Sequence, residues 1–413
     1  MERVSVAADT AVRLKPGWAL LGPAFVAAIA YVDPGNVAAN VSAGAKFGFL
    51  LVWVIVAANI MAALVQYLSA KLGLVTGRSL PEVIGAHSRK PVRIAYWLQA
   101  ELVAMATDLA EVVGGAIALN LIFGLPLVLG GLITGVVSMA LLAVGDRRGP
   151  RVFEQVTSGL LIIIAIGFLA SLVVAPPAPA DVAAGLLPRF DGTESVLLAT
   201  AILGATVMPH AVYLHSGLAR DRHGQPEPGP ARRRLLRVTR WDVGLAMLVA
   251  GTLNLAMLVV AANNLRGMDD AGSIEGAHAA VGNTLGPTVA LFFAIGLLAS
   301  GLASTSVGAY AGAMIMQGLL RVSVPLLWRR LITLGPALAI LALGIEPTRA
   351  LVISQVVLSF GIPFALVPLI RVTGDRALMG ADANGPLTSA LGWAITAVIG
   401  TLNVALIYLT VTG

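Results

Sequence analysis

Long apolar runs alternate with short charged or Pro/Gly-rich stretches along the whole chain. Each run is long enough for a helix of about 20 residues, the length that crosses the hydrocarbon core of a bilayer. The sequence therefore predicts an all-α, polytopic membrane protein. The predicted spans are residues 18–44, 48–74, 92–121, 125–145, 153–175, 195–219, 241–264, 286–320, 328–345, 348–370 and 388–411.

The composition narrows the class further. Of the 413 residues, 58% are hydrophobic and only 12% are charged. Soluble domains have about 45–50% apolar and about 25% charged residues, so this composition excludes a soluble enzyme with one membrane anchor. Because the sequence has no cysteine, disulfides and thiolate metal sites are excluded as well.

The basic residues are divided unevenly between the two sets of loops. With the N-terminal segment in the cytoplasm, only four of the 27 Lys and Arg residues lie outside: Lys46, Arg189, Arg266 and Arg349. Cytoplasmic loops of membrane proteins carry such an excess. We therefore predict a multi-pass protein of the cell inner (plasma) membrane with a cytoplasmic N-terminus and an external C-terminus. The net charge of +6 then reflects topology and predicts no nucleic-acid partner, and we expect the basic run at 232–234 to lie near anionic lipid.

Two predicted spans contain helix-breaking residues near their midpoint. Span 1 contains DPGN at 33–36, and span 6 contains MPH at 208–210. Proline lacks a backbone N–H and clashes with the preceding turn, so we expect the helix to unwind at both places. Unwound backbone at this depth persists only where protein or a water-filled cavity satisfies its polar groups.

The positions of the two breaks predict an inverted repeat. Since five spans separate span 1 from span 6, the two halves have opposite topology, which is the plan of many secondary transporters with a substrate site at the midplane. We predict a single transporter domain. It comprises a cytoplasmic segment 1–17, a first five-helix repeat at 18–175, a second, inverted repeat at 195–370 and an eleventh helix at 388–411.

The position of Asp33 indicates that the ligand bound at the two helix breaks is a cation. A carboxylate at a helix centre costs about 2.5–3.5 kcal/mol, and the sequence near Asp33 offers no cationic partner. The candidate partners are oxygen atoms, namely the Asn36 side chain and the carbonyls of Ala30 and Ala205. Met208 adds a soft thioether, which favours transition metals over Mg²⁺ and Ca²⁺. A methionine that only packs is the competing interpretation.

A second group of ionisable residues lies in span 3. Glu101, Asp108 and Glu111 fall within about 80° of one another on a helix, and such a stripe of carboxylates indicates a proton path. His210 follows the break in span 6 and can exchange protons near neutral pH. A structural polar network is the alternative interpretation of the carboxylates, and hydrogen-bonded packing is the alternative for His210.

Two interpretations stay open for three further residues. Arg329 and Arg330 at the start of span 9 are either counter-charges on the proton path or positive anchors at the membrane surface. Gln355 in span 10 either completes the coordination sphere of a metal or ties helices together.

These residues resemble the motifs of the Nramp family of proton-coupled transition-metal transporters. The resemblance rests on AYVDPGN in span 1 and ATVMPHAVYLHS in span 6, supported by AELVAMATDLAE, WRRLIT and VISQVVLSFG, and it covers essentially the whole chain. It implies a LeuT-type fold, a 5+5 inverted repeat with discontinuous helices 1 and 6, that carries Mn²⁺ or Fe²⁺, and also Cd²⁺, inward with protons. The bacterial members of eleven spans include manganese importers.

The resemblance also implies roles for individual residues. The implied metal ligands are Asp33, Asn36, Met208, the carbonyls of Ala30 and Ala205 and, in some states, Gln355. The implied proton-pathway residues are Asp33, Glu101, Asp108, Glu111, His210, Arg329 and Arg330. The metal is then the transported substrate and the proton the coupling ion, so we expect no resident cofactor and, apart from the lipid bilayer, no obligatory protein partner.

Three rival functions remain to be compared with this one. A sodium-coupled amino-acid or amine transporter has the same architecture, but it needs small polar residues at the breaks, which an aspartate and a thioether do not provide. A passive divalent-metal channel is less consistent with the repeat. An intramembrane enzyme is disfavoured because no HExxH motif or recognisable nucleophile setting occurs in the sequence.

Overall fold

The computed structural model describes residues 20–148, 159–160, 162–166, 168–169, 172, 176–266, 272–322 and 326–412. These residues are nearly all helical and contain no β-strand. The helices of the first half are α1 (Pro23–Ile29), α2 (Pro34–Phe47), α3 (Val52–Thr76), α4 (Leu80–His87), α5 (Lys90–Phe123), α6 (Leu127–Arg148) and α7 (Pro179–Ala184). Those of the second half are α8 (Gly192–Thr206), α9 (Pro209–His223), α10 (Pro230–Asn264), α11 (Ile274–Leu285), α12 (Pro287–Leu320), α13 (Leu326–Ala342), α14 (Pro347–Gly374), α15 (Arg376–Met379) and α16 (Pro386–Thr412).

Ten of the eleven predicted spans coincide with these helices. The fifth, predicted at 153–175, lies for the most part outside the described residues. Within the described part of the chain, seven helical stretches are long and apolar enough to cross a membrane, among them Pro34–Thr76, which joins α2 to α3. Shorter apolar helices occupy Pro23–Val32, Leu127–Ala140 and Leu331–Ala342. The repeat boundaries at 175 and 195 stay a prediction.

The seventh span begins earlier than its apolar run predicts. α10 starts at Pro230, eleven residues before the predicted start at 241, so the basic run is helical. Proline is favoured at the first helical position, and arginine is a strong helix former. Hydropathy alone places the start of the span after the basic residues, although the helix already includes them.

Four short helices lie between spans and were missed by the hydropathy pattern: α4, α7, α11 and α15. Two of their starts have local explanations. Glu82 accepts a hydrogen bond from the backbone N–H of Ser79 at 2.6 Å ahead of α4, and Ser273 accepts one from the backbone N–H of Gly276 ahead of α11. These are N-terminal capping interactions, which start a helix even when its apolar stripe is short.

The packing of the long helices surrounds the two breaks. α5 lies along α12, α2 along α10, α8 along α14 and α9 along α3. The contacting faces form one continuous apolar core that includes residues from both sides of each break. The breaks are therefore buried in protein, away from lipid, as unwound backbone requires.

Candidate functional site

The first break is built as a helix start inside the membrane. After α1, residues 30–32 form a short 3₁₀ turn, and Asp33 is extended with φ −80° and ψ 167°. Pro34 then opens α2, and the backbone N–H of Asn36 donates to Asp33 Oδ1 at 2.8 Å. Asp33 is thus the N-cap of α2, where the positive end of the helix dipole favours its negative charge.

This cap gives hydrogen-bond donors to an aspartate for which the sequence offered no cationic partner. One of its two oxygens already accepts from the backbone and from the side-chain amide of Asn36, each at 2.8 Å. The other oxygen faces Gln355 Nε2 at 3.4 Å, a long contact. An aspartate followed by proline at a helix start is a sequence pattern typical of such a cap.

The second break has the same construction. α8 ends at Thr206, Val207 and Met208 leave helical geometry, and Pro209 opens α9. Met208 is fully buried. In each break the proline has no N–H to offer to the carbonyl four residues earlier, which is the carbonyl of Ala205 here and of Ala30 in the first break. The two predicted carbonyl ligands therefore occupy equivalent positions.

A single side chain joins the two breaks. Asn36 Nδ2 donates to Asp33 Oδ1 at 2.8 Å and to the carbonyl oxygen of Ala205 at 2.9 Å. With the contact from Gln355, four of the six predicted metal ligands form one hydrogen-bonded group. The other two, Ala30 and Met208, are buried within the breaks themselves.

Buried oxygen atoms at this point lack hydrogen-bond donors. Asn36 Oδ1, Gln355 Oε1 and Thr206 Oγ1 find no partner among the described residues. Leaving a buried acceptor unsatisfied costs about 1–3 kcal/mol, and a bound cation removes this cost. Thr206 was missed by the sequence analysis. Its position directly before the second break was the available indication.

The donor set differs from that of a permanent metal centre. Among the described residues, no three His, Cys, Asp or Glu side chains cluster as metal ligands do. The group at the breaks offers one carboxylate, neutral oxygens and a thioether. Such a set suits reversible binding of a partly soft divalent cation better than tight structural binding.

Neighbouring helices satisfy other carbonyls of the first break. Asn254 of α10 donates to the carbonyl of Tyr31 at 2.9 Å, and Ser300 of α12 donates to that of Val32 at 2.5 Å. Both donors are buried. The unwound backbone is thus held by protein groups, as membrane depth demands.

Glycines allow the close approach of α14 to both breaks. A Cβ on Gly35 would lie 1.7 Å from Gln355 Nε2, and one on Gly204 would lie 1.9 Å from the backbone oxygen of Gln355. At Gly204 the obstacle is backbone, so only a residue without a side chain fits there, whereas at Gly35 the obstacle is the end of the flexible Gln355 side chain. Gln355 therefore lies between the two breaks.

The carboxylate stripe of α5 runs from partial exposure into the core. Glu101 is partly exposed, Asp108 is 9% exposed and Glu111 is fully buried. Gly308 of α12 lies opposite, since a Cβ there would be 3.1 Å from Glu111 Oε1 and 4.0 Å from Asp108 Oδ1. Asp108 and Glu111 thus lie in the interface between α5 and α12.

His210 connects this stripe to the second break. Its Nδ1 lies 3.4 Å from Thr107 Oγ1 on α5, and its ring interacts electrostatically with Asp108. Thr107 was missed by the sequence analysis, because a threonine in a membrane helix has no distinguishing pattern. The side chains of Arg329 and Arg330 lie outside those that the structure describes, and only the backbone of α13 is defined there.

A separate buried chain of polar groups starts at the other side of the first break. The hydroxyl of Tyr31 accepts a hydrogen bond from Gln66 Nε2, and Gln66 Oε1 lies 2.7 Å from Nδ1 of His215. All three side chains are buried, and they connect the first break, α3 and α9. Because these residues are far apart in the sequence, their proximity could not be predicted from spacing.

Two interrupted helices inside a helical membrane bundle define the class of this protein: it is a polytopic membrane transporter of LeuT-type fold. Its fold matches that of MhsT, solved in complex with L-phenylalanine, with a TM-score of 0.60 over 94% of this chain and 98% of that chain. At 14% identity, this likeness shows the fold alone.

The family follows from closer relatives. Residues 24–409 match the natural resistance-associated macrophage protein-like (Nramp) family, and the chain belongs to it. It is 71% identical over 408 residues to the divalent metal cation transporter MntH of Mycobacterium tuberculosis (strain ATCC 25618 / H37Rv), covering 99% of this chain and 95% of the relative. The Eremococcus coleocola manganese transporter aligns with a TM-score of 0.84 at 30% identity, over 92% of this chain and 84% of that one. The predictions of the family, of the fold class and of a transporter rather than an enzyme are confirmed.

Proposed function

We propose that the chain imports divalent transition-metal ions, with Mn²⁺ as the principal substrate and Fe²⁺ and Cd²⁺ also carried, in symport with protons. The observation that carries this proposal is the group in which Asn36 joins Asp33 to Ala205, beside buried oxygens without donors. The names of the relatives, a divalent metal cation transporter and a manganese transporter, support the same substrate class.

The residues at the breaks supply different kinds of metal ligand. Asp33, when deprotonated, supplies the charge, while Asn36, Gln355 and the carbonyls of Ala30 and Ala205 supply neutral oxygens. The amide of Asn36 at present points its nitrogen at Ala205, so binding through its oxygen requires the side chain to reorient and release that carbonyl. Met208 supplies the soft donor that disfavours Mg²⁺ and Ca²⁺.

Protons follow a different route from the metal in this proposal. Acid outside protonates Asp33 or a neighbouring group, and the proton leaves along the α5 stripe. The contact between His210 and Thr107 supports a transfer between the second break and Asp108. Glu111 and Glu101 continue the stripe, and Arg329 and Arg330 serve as counter-charges.

Alternating access requires the short helix α1 to move. In this structure the start of α1 is fixed by Asp242 of α10, whose carboxylate accepts from the backbone N–H groups of Gly22 and Ala24, each at 3.0 Å. The Tyr31–Gln66–His215 chain holds the 3₁₀ turn that follows α1. Opening of the predicted cytoplasmic path breaks both sets of contacts, and closing restores them.

Reconstituted vesicles test this function. Uptake of Mn²⁺, Fe²⁺, Cd²⁺, Mg²⁺ and Ca²⁺ is measured at two external pH values, with a pH-sensitive dye inside the vesicles. We expect concentrative uptake of the first three, faster at the lower external pH and accompanied by internal acidification. Uptake that never exceeds the external concentration indicates a channel, and competition by amino acids instead of Cd²⁺ indicates the sodium-coupled rival.

One variant isolates the proton route. Asp108→Asn is expected to reduce dye acidification far more than metal uptake, because Asp108 belongs to the stripe and not to the metal group. Glu194→Gln is the matched control, since that carboxylate pairs with Lys46 at an exposed position. Equal proton influx in both variants removes Asp108 from the route.

A further inference from the structure

A cavity of about 270 Å³, here called the basic cavity, lies where α3 meets the first turns of α10. Its charged lining consists of four cationic side chains, Lys71, Arg233, Arg237 and Arg240, and one carboxylate, Asp382. The cavity is remote in sequence from both helix breaks and takes no part in the transport mechanism above. An excess of cationic groups around an open volume is suited to an anion.

The single carboxylate of the basic cavity already pairs with an arginine outside the cavity lining. Asp382 Oδ2 accepts from Arg232 at 3.2 Å, and its backbone carbonyl accepts from Lys71 Nζ at 2.9 Å. Among the described residues, no acidic side chain pairs with Arg233 or Arg237. The positive charge of the cavity therefore has no internal counter-charge at these two positions.

The start of α10 increases this positive potential. The helix begins at Pro230, so Arg233 lies in its first turns, where the helix dipole is positive. Arg237 and Arg240 follow four and seven residues later and share a face with Arg233. Cations at a helix N-terminus are unfavourable on their own, and a bound anion relieves both the dipole and the arginines.

Two of the cationic groups are held in place. Lys71 is 6% exposed, and it donates to Asn384 Oδ1 at 2.6 Å in addition to Asp382. The guanidinium of Arg240 lies 5.0 Å from the ring centroid of Tyr67 and donates to its hydroxyl at 3.3 Å. A preordered cationic group loses less entropy when an anion binds.

The surface beside the basic cavity is apolar and exposed. On α10, Trp241, Leu245 and Leu248 are 67%, 41% and 63% exposed and share the helix face of Arg237. On α3, Ile60 is 67% exposed and lies seven residues before Tyr67 on the same face. An exposed tryptophan beside arginines is typical of the membrane–water interface.

We propose that the basic cavity binds the phosphate headgroup of an anionic membrane lipid, whose acyl chains lie along the apolar faces of α3 and α10. Arginine guanidinium groups recognise phosphate oxygens in bidentate fashion. A free phosphate ion offers the same headgroup chemistry but would leave the adjoining apolar faces unused. The predicted topology assigns the lipid to the cytoplasmic leaflet, which carries anionic lipids.

Native mass spectrometry of the full chain in detergent, titrated with phosphatidylglycerol or phosphatidylcholine, tests this proposal. We expect retention of phosphatidylglycerol over phosphatidylcholine. In the double variant Arg233→Gln/Arg237→Gln, the affinity for phosphatidylglycerol falls about thirtyfold, because each cationic group near an anionic lipid is worth about 1 kcal/mol. The matched control, Arg89→Gln/Lys90→Gln, removes the same charge from exposed positions at the start of α5 and retains the lipid.

Other outcomes overturn the proposal. Equal retention of phosphatidylglycerol by the cavity variant and the control shows that the lipid binds elsewhere. If inorganic phosphate binds, and phosphatidylglycerol shows no preference over phosphatidylcholine, the ligand is a soluble phosphate. Thermal unfolding of both variants separates loss of the site from loss of the fold, and Arg233→Lys/Arg237→Lys, which keeps the charge but loses the guanidinium fork, is expected to bind more tightly than the Gln variant and less tightly than the native chain.

Discussion

Asn36 donates its side-chain amide to the carbonyl oxygen of Ala205 at 2.9 Å, across 169 positions of sequence. The two residues belong to the two interrupted helices, and the same amide group also donates to Asp33. A movement of either half-helix therefore changes the surroundings of the carboxylate. This relationship makes the two breaks one site.

Asn36→Ala removes this connection and one candidate metal oxygen. We expect Mn²⁺ uptake to fall at least about tenfold, since a hydrogen bond to a charged group is worth about 1.5–3 kcal/mol. Uptake into reconstituted vesicles measures the effect. The control is Asn264→Ala, which removes a side chain that bonds only within its own helix, to the carbonyl of Val260. Equal uptake by both variants would show that Asn36 does not connect the two breaks in transport.

Met208→Ala tests the soft donor separately from packing. We expect Cd²⁺ and Mn²⁺ uptake to decline and Ca²⁺ or Mg²⁺ to become effective competitors. Met257→Ala is the matched control, because both methionines are buried and both truncations cost about 2–5 kcal/mol of stability. If the two variants share the selectivity of the native chain, Met208 only packs.

Gly35→Ala displaces Gln355 without touching the rest of the site. The new Cβ would lie 1.7 Å from Gln355 Nε2, so the flexible side chain must leave Asp33. We expect a folded protein whose Mn²⁺ affinity, measured by calorimetry, is about threefold to tenfold lower. Adding Gln355→Ala produces no further loss, because both changes remove the same contact. Additive losses contradict this account.

Gly204→Ala serves as the comparison for that variant. Its Cβ would meet the backbone oxygen of Gln355 at 1.9 Å, and a backbone atom cannot move aside as a side-chain end does. We expect a lower melting temperature from this change, in contrast to Gly35→Ala.

Glu275 on α11 predicts a pH dependence of stability. Burial, and then the negative charge of Glu346, raise the pKa of Glu275 above its usual 4.5. The folded chain thus binds more protons than the unfolded chain just above that pH, so this group makes the free energy of unfolding decrease as pH rises from about 4.5. In Glu275→Gln, the melting temperature should depend less on pH over that interval. Asp181→Asn, at an exposed position, should leave this pH dependence unchanged. An unchanged slope in Glu275→Gln refutes the assignment.

The sequence predicted those features that are local. Proline at 34 and 209 locates both breaks, and hydropathy locates the long helices to within a few residues, apart from the early start of α10. The spacing of Glu101, Asp108 and Glu111 predicted a shared face, and the structure brings Asp108 and Glu111 of that face close to Gly308 of α12.

Contacts between helices that are distant in sequence could not be predicted from residue spacing. The cap that Asp33 forms was readable in principle, because its donor is three residues away, but it was missed. The approach of Asn36 to Ala205, and of Gln355 to Gly35, depends on the packing of helices distant in sequence. The same holds for Thr206, whose unpartnered hydroxyl becomes meaningful only beside the other oxygens of the site.

Anomalous X-ray diffraction from crystals of the full chain grown with Mn²⁺ locates the metal in the proposed transport site. We expect a manganese peak between the two breaks, within bonding distance of the Asp33 carboxylate and the Met208 sulfur, that disappears in Asn36→Ala crystals. A peak elsewhere in the bundle, or none between the breaks in a protein that transports Mn²⁺, would contradict this proposal.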